Sequence, residues 1–217
     1  AMIITVAGEH RAAHPPELGT LTVRIAVEDA DAAAAMAALT READRLTAEV
    51  DALRQAEPSP VVASAVQAPG TRSWRPWNER GEALPPRHEA SVRASVTFDD
   101  VGALAGCASR WGERDGWSLD KVAWSVTDAV RARLEAAALR AAVADARRRA
   151  EAIAAECGTG RVTVLDVADA GLLPGGGAPE PRVEAMVRAF GKDSGEGVAV
   201  APEDVEVLVR LHARFEA

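Results

Sequence analysis

Two segments near the end of the chain constrain its fold more than any others. Residues 205–215 read VEVLVRLHARF, with apolar and polar side chains alternating except at Leu208. A period of two is typical of a strand with one face on a core and the other in water. Residues 131–158 read RARLEAAALRAAVADARRRAEAIAAECG, a long run of strong helix formers closed by a glycine. We expect the alanine stripe of this helix to lie close to a sheet; a helix–helix contact in an assembly is the alternative.

The alternating pattern recurs upstream. It is found in residues 21–28, LTVRIAVE, and in residues 91–98, SVRASVTF. Strands that are buried on both faces of a parallel sheet are instead continuous apolar runs. The sequence therefore predicts an α+β fold in which antiparallel sheets carry helices packed on one face.

The rest of the chain predicts a regular order of elements. Asp29 or Asp31, and then Asp99 and Asp100, are suited to cap helices because a short carboxylate accepts hydrogen bonds from unpaired backbone N–H groups. Helices are expected to run from these caps to about residue 55 and to about residue 114, and over residues 128–157. Strands are predicted over residues 2–7, 18–28, 61–68, 88–98, 117–127, 162–167 and 205–215, with a short strand or helical turn over 182–190.

An internal similarity suggests a duplicated strand–helix unit. The stretch TVRIAVEDADAAAAMAA from Thr22 resembles SVRASVTFDDVGALAGC from Ser91, although unrelated strand–turn–helix segments share such features. We predict a single domain over residues 1–217, with 1–86 and 87–217 as optional sub-halves. Residues 70–86 are rich in proline and tryptophan and are predicted to form a hairpin arm.

Composition and charge exclude some functions. The formal net charge is −8, from 25 basic and 33 acidic residues, which argues against a nucleic-acid partner. No cofactor motif and no metal-ligand spacing is present. Cys107 and Cys157 are interpreted as buried free thiols, with a disulfide as the alternative. Alanine and arginine are abundant and lysine is rare, which indicates a high-GC bacterial genome.

The chain shows no sign of insertion into a membrane. No stretch approaches the ~20 apolar residues that a spanning helix needs. There is also no basic, apolar leader at the start. We therefore predict a cytoplasmic location; the alternative is a periplasmic or secreted protein whose signal peptide was removed ahead of residue 1.

A few polar residues are candidates for chemistry. His10 and His14 flank a predicted turn, where Glu9 or Glu17 could join them as metal ligands, but such a pair is more typical of ordinary surface histidines. Arg210, His212 and Arg214 share the polar side of the closing strand, and an imidazole titrates near neutrality. No nucleophile with a spaced partner accompanies them, so they form a weak candidate site.

The arm carries the more informative candidates. Trp74, Arg75 and Trp77 combine apolar area with positive charge, which is typical of protein interfaces. Burial of both tryptophans on the protein's own core is an equal alternative. A small-molecule site is the third interpretation.

Several segments together resemble a known family. Residues 4–9, ITVAGE, resemble the opening strand of SIMPL domain proteins, and residues 90–96 resemble a later strand. The strongest similarity is in residues 134–158, which match the long alanine- and arginine-rich helix of the family, and residues 205–215 match its final strand. The resemblance implies the SIMPL fold. It also implies relatives described as periplasmic immunogenic or oxidative-stress-related proteins of unknown function, some of which form assemblies of many subunits.

These observations predict a non-catalytic protein. We expect a self-assembling binding or scaffold module that forms a homo-oligomer through its arm and uses no cofactor. The alternative is a small-molecule-binding protein, or a weak hydrolase-type enzyme that uses the strand face of Arg210 and His212. The arm around Trp74 and the lack of a leader depart from the family pattern. No sequence feature identifies the ligand.

Overall fold

The computed structural model describes residues 2–169 and 201–217. These residues form three helices and antiparallel sheets, so the predicted α+β fold is confirmed. The elements are β1 (Ile3–His14), β2 (Leu18–Asp29), α1 (Ala32–Arg54), β3 (Val61–Val66), β4 (Gly70–Trp74), β5 (Arg87–Phe98), α2 (Val101–Gly112), β6 (Trp117–Leu119), β7 (Ala123–Ser125), α3 (Asp128–Glu156), β8 (Thr163–Asp169) and β9 (Val205–Glu216).

The chain divides into two compact units. Unit 1 contains residues 2–15, 126–169 and 203–217, and unit 2 contains residues 16–125 together with 201–202. Each unit has its own sheet and its own hydrophobic core. The boundaries of these units differ from the optional sub-halves 1–86 and 87–217, and the single domain stays a prediction.

Unit 1 is a three-stranded antiparallel sheet, in the order β1-β9-β8, with α3 on one face. Its core joins the alternate apolar residues of β1 and β9 to an alanine stripe on α3, as predicted; the stripe consists of Ala142, Ala146, Ala150 and Ala154. The absence of a side chain at Gly8 allows α3 to lie close to β1. A Cβ atom at this position would collide with the carbonyl oxygen of Ala142 and with Ala146.

Side chains of α3 also cover the outer edge of β1. The Asp145 carboxylate accepts a hydrogen bond from the backbone N–H of Glu9 at 3.3 Å. Arg149 donates to the carbonyl oxygen of Ala7 at 3.1 Å. At its C-terminus α3 ends as the sequence predicts. Gly158 adopts a φ of 71°, and Thr159 N–H donates to the carbonyl of Ala154.

Unit 2 is built on two long strands, β2 and β5, which pair along their full length. Strands β3 and β4 pair with successive parts of β5, while β6 and β7 pair with successive parts of β2. Helices α1 and α2 cover one face. The core contains Leu21, Val23 and Ile25 of β2, the even-numbered residues of β5 from Ala90 to Phe98, and the apolar faces of both helices.

The two helices of unit 2 begin in the same way. Asp31 is the cap of α1, and its carboxylate accepts from Ala34 N–H at 2.8 Å. Asp100 is the cap of α2, and its carboxylate accepts from Ala103 N–H, also at 2.8 Å. The strand–helix unit suggested by the internal similarity therefore occurs twice, as β2–α1 and as β5–α2.

The structure differs from the sequence prediction at three places. Strand β1 continues past Ala7 to His14, because residues 8–14 keep pairing with β9. The single strand predicted over 117–127 is two short strands. The register against β2 changes by one residue between them, so an extra residue interrupts the ladder. Both cysteines are free, but only Cys107 is buried; Cys157 is exposed at the end of α3. The element predicted over 182–190 lies outside the described residues.

Candidate functional site

The arm is an ordered extension of the unit 2 sheet. Strand β4 pairs with β5, so that Trp74 lies opposite Arg87 and Arg72 opposite Glu89. Beyond β4 the chain folds back on itself through a bridge between Trp77 and Ala83. The Leu84 N–H also donates to the carbonyl of Pro76 at 2.8 Å.

The side chain of Asn78 organises the tip of the arm. Its Oδ1 accepts hydrogen bonds from the backbone N–H of Arg80 at 3.0 Å and of Glu82 at 2.9 Å. Its Nδ2 donates to the Glu82 carboxylate at 2.8 Å. Gly81 follows with a φ of 76°, a conformation in which glycine carries no Cβ penalty. The turn is therefore held by its own hydrogen bonds.

The two tryptophans of the arm have different surroundings. Trp74 is half-buried, and the Arg72 guanidinium lies over its ring at 4.8 Å from the ring centre. Trp77 is 69% exposed, and its neighbour in the arm, Leu84, is also exposed. Arg75, between the tryptophans, is exposed as well. The arm therefore does not bury Trp77 on the core of unit 2.

A second surface lies next to the arm, on the side of the unit 2 sheet away from the helices. There the carboxylate of Glu89 accepts hydrogen bonds from Arg24 at 2.6 Å and from Arg72 at 3.1 Å. Only 11% of the Glu89 side chain is exposed. Arg93 lies directly opposite Arg24 in the register of β2 and β5. We call the surface of Arg24, Arg72, Arg87, Glu89 and Arg93 the arginine face.

Sequence reasoning missed the arginine face. The alternation in residues 91–98 places Arg93 on the polar side of β5, and that signal was available. The meeting of Arg24, Arg72 and Glu89 depends on three strands and on their registers. No spacing along the chain indicates those registers.

The polar side of β9 does not gather its residues into one site. Arg210 pairs with Glu9 at 2.8 Å, and Arg214 lies 3.5 Å from Asp166. Glu206 pairs with Arg11 at 2.7 Å, away from His212. His212 lies between Ala7 and Ala168 in the sheet register. The cross-strand ion pairs therefore keep Glu206 and Arg210 from converging on His212.

The early histidines are placed differently from the prediction. His10 and His14 lie on β1 and do not flank a turn, because β1 stays paired with β9 as far as Val205. The His14 Nδ1 lies 2.6 Å from the carbonyl oxygen of Pro15. Within residues 2–169 and 201–217, no three His, Cys, Asp or Glu side chains are grouped so as to hold a metal ion.

A small cavity lies between α1 and the strands β3 and β5. Its volume is about 60 Å³, and its lining includes Leu46, Val50 and Val96. Pockets for small-molecule ligands typically measure about 300–1,000 Å³. This cavity is therefore well below that range.

A partly buried carboxylate, Glu49, joins the two helices of unit 2. It accepts a hydrogen bond from the Trp111 indole at 3.0 Å and another from Arg114 at 2.6 Å. Burial raises the pKa of Glu49, but the hydrogen bonds and charge of its partners outweigh burial and leave that pKa below its usual value. The Arg114 guanidinium also lies over the Trp117 ring at 4.7 Å. This cluster holds α1, α2 and β6 together.

These features define an α+β protein whose antiparallel sheets each carry helices on one face, with an exposed aromatic arm beside a basic sheet surface. The family model of SIMPL, a protein of unknown function (DUF541), matches residues 4–215. The chain therefore belongs to the SIMPL family, as the resemblance implied. A search of curated proteins finds no match to it. No helix in the described part of the chain is long and apolar enough to cross a membrane.

Proposed function

We propose that this protein is a non-catalytic binding module that assembles with copies of itself through its arm. The observation that carries the proposal is the exposure of Trp77 on a turn held by its own hydrogen bonds. A large aromatic side chain presented in this way loses little conformational freedom when a partner covers it. Aromatic residues bury about 150–250 Å² each and dominate the energetics of interfaces.

The charges of the arm support the same proposal. Within the arm, the Arg72 guanidinium is stacked on the Trp74 ring, and Arg75 is exposed between the two tryptophans. Tryptophan and arginine are the residues most enriched among those that dominate binding energy in interfaces. By contrast, the face of Arg210 and His212 supports the hydrolase alternative poorly, because its arginines already hold carboxylates.

The test is the mass of the protein in solution. Light scattering coupled to size-exclusion chromatography should give a mass above the 22.7 kDa of one chain for the wild type. Trp77→Ala should shift that mass toward 22.7 kDa, and Trp77→Phe should retain part of the assembly. Leu139→Ala, at an exposed apolar residue of α3, is the matched control and should leave the mass unchanged. A wild type that is monomeric at every concentration would contradict the proposal.

A further inference from the structure

We propose that the arginine face of unit 2 binds an acidic polypeptide segment through the carboxylates of that segment. This inference does not require self-assembly: Arg72 belongs both to the arm and to the arginine face, but the contacts to the incoming segment are assigned to Arg87 and Arg93 and not to Trp77. It rests on the charges that strands β2, β4 and β5 bring together and on the one carboxylate already held among them.

The face is locally basic on an acidic protein. Its four arginines lie among two carboxylates, those of Glu89 and of Glu28, which is directly opposite Glu89 on β2, while the chain as a whole carries a formal charge of −8. In the described part of the chain, the side chains of Arg87 and Arg93 have no ion-pair partner. Both are exposed. Two guanidinium groups are therefore available to a ligand.

The register of the sheet adds a second argument. Arg24 and Arg93 are directly opposite each other on neighbouring strands, and like charges in that position are destabilising. The Arg24 guanidinium reaches along the sheet to the Glu89 carboxylate, which compensates the positive charge of Arg24. Arg93 has no such carboxylate among the described residues. An anion bound at Arg93 would compensate the positive charge of Arg93 in the same way.

The internal ion pairs indicate which anion fits. Glu89 accepts hydrogen bonds from two guanidinium groups, at 2.6 Å and 3.1 Å, so the face already binds one carboxylate of a polypeptide. The planar fork of an arginine matches the geometry of a carboxylate. A side-chain carboxylate of an incoming segment would meet Arg87 and Arg93 in the same way.

A nucleic acid fits the face less well. Proteins that bind single strands without sequence preference stack the bases on exposed aromatic rings. Trp74 is the aromatic residue beside the arginine face, and Arg72 already lies over its ring.

Glu89 has a specific role in this inference. It is an internal competitor that occupies Arg24 and Arg72 in the free protein. Glu89→Gln removes that negative charge and leaves both guanidinium groups available. The substitution should therefore strengthen binding of an acidic peptide, whereas a purely structural role for the cluster predicts no gain.

The experiment is fluorescence anisotropy of a labelled hexaglutamate peptide with the full chain at low salt. Wild type should bind hexaglutamate and not hexaglutamine. The double variant Arg87→Gln/Arg93→Gln should weaken binding about tenfold, since two exposed ion pairs are lost. The matched control is Arg133→Gln/Arg140→Gln on α3, with the same change in net charge at exposed arginines; it should change binding less than about twofold. Glu89→Gln should tighten binding about threefold, and its matched control Glu135→Gln should not.

Three results would overturn the inference. The first is a wild type that binds hexaglutamate no better than hexaglutamine. The second is an equal loss of binding in the α3 control, which would indicate a nonspecific effect of net charge. The third is tighter binding of an oligothymidylate of the same charge than of hexaglutamate. Trp77→Ala should leave peptide binding unchanged, so failure here is distinguishable from failure of self-assembly. Circular dichroism of each variant should match that of the wild type.

Discussion

Glu49 is the residue at which burial and hydrogen bonding oppose each other most directly. Burial alone raises the pKa of this carboxyl, and the hydrogen bonds from Arg114 and Trp111 reverse that effect. The pKa of Glu49 in the folded protein is therefore below its value in the unfolded chain. A carboxyl with a lowered pKa stabilises the fold above its unfolded pKa, and that stability is lost as the pH falls through the folded pKa.

We expect Glu49→Gln to lower the free energy of unfolding by about 1–2 kcal/mol at neutral pH, because Arg114 loses its charged acceptor. The difference from wild type should shrink as the pH falls below 4.5, the unperturbed value for this carboxyl. Urea denaturation of both proteins over that range of pH measures this difference in the free energy of unfolding. Glu135→Gln, at an exposed glutamate, should show neither effect. A difference that stays constant with pH would contradict the assigned role of the charge.

Gly8 is a residue at which the two layers of unit 1 come close together. Gly8→Ala would place a methyl group against the backbone of α3 at Ala142, and backbone yields less readily than a flexible side chain. We expect the free energy of unfolding to fall by about 1–3 kcal/mol. Thermal or urea denaturation measures the change. Gly70→Ala on β4 is the control, since a Cβ there meets no atom within 4 Å and should be tolerated.

At the scale of elements, the local sequence pattern is sufficient to predict a helix or strand that has one apolar face. Leu39, Leu46 and Val50 recur at the spacing of one face of α1, and these residues are buried in the core of unit 2. The alternation of β9 predicted its buried side, which includes Leu211, Ala213 and Phe215. The end of α3 at Gly158 was also evident, because that glycine has the left-handed conformation expected there.

The local sequence pattern does not predict features that depend on the pairing of neighbouring strands. The strand predicted over residues 2–7 continues through Gly8, because β1 stays paired with β9, and a glycine fits there because α3 leaves no space for a Cβ atom. The one-residue change of register that separates β6 from β7 is a property of their pairing with β2. The same limit applies to the arginine face. No local sequence signal distinguishes an exposed tryptophan from a buried one at position 77.

The helix caps of unit 2 give a prediction at this scale. Asp99 and Asp100 are both suited to cap α2, and the structure assigns the role to Asp100. Asp100→Ala should therefore lower the free energy of unfolding by about 1 kcal/mol, because Ala103 N–H loses its acceptor. Asp100→Ser should recover most of the loss. The exposed neighbour Asp99 provides the matched variant: Asp99→Ala should cost less than about 0.5 kcal/mol by urea denaturation.

At the scale of the whole molecule, the repeated strand–helix unit explains an otherwise unfavourable feature. Arg24 and Arg93 occupy equivalent positions in the two similar segments, and the register of β2 against β5 places these two residues directly opposite each other. A like-charge pair follows from the repeat together with this register. The equivalent caps, Asp31 and Asp100, follow from the repeat as well. The basic surface of this acidic protein is thus a consequence of how unit 2 is built.

The division of the chain into two units predicts which fragment of it folds alone. Residues 16–125 contain every strand of the unit 2 sheet and all the residues of its core, while unit 1 is assembled from segments on both sides of them. A compact unit with its own core is expected to fold alone. The fragment 16–125 should therefore show helical and strand circular dichroism and a cooperative thermal transition.

The fragment 2–86 is the informative comparison, because it ends before β5 and so lacks the strand that pairs with β2, β3 and β4. It should remain unfolded under the same conditions, since β2 then has no long partner and more than half of the buried core residues are missing. If 2–86 folded cooperatively while 16–125 did not, the chain would be organised as halves about residue 86. The interleaved units would then be wrong as folding units, even though each has its own sheet.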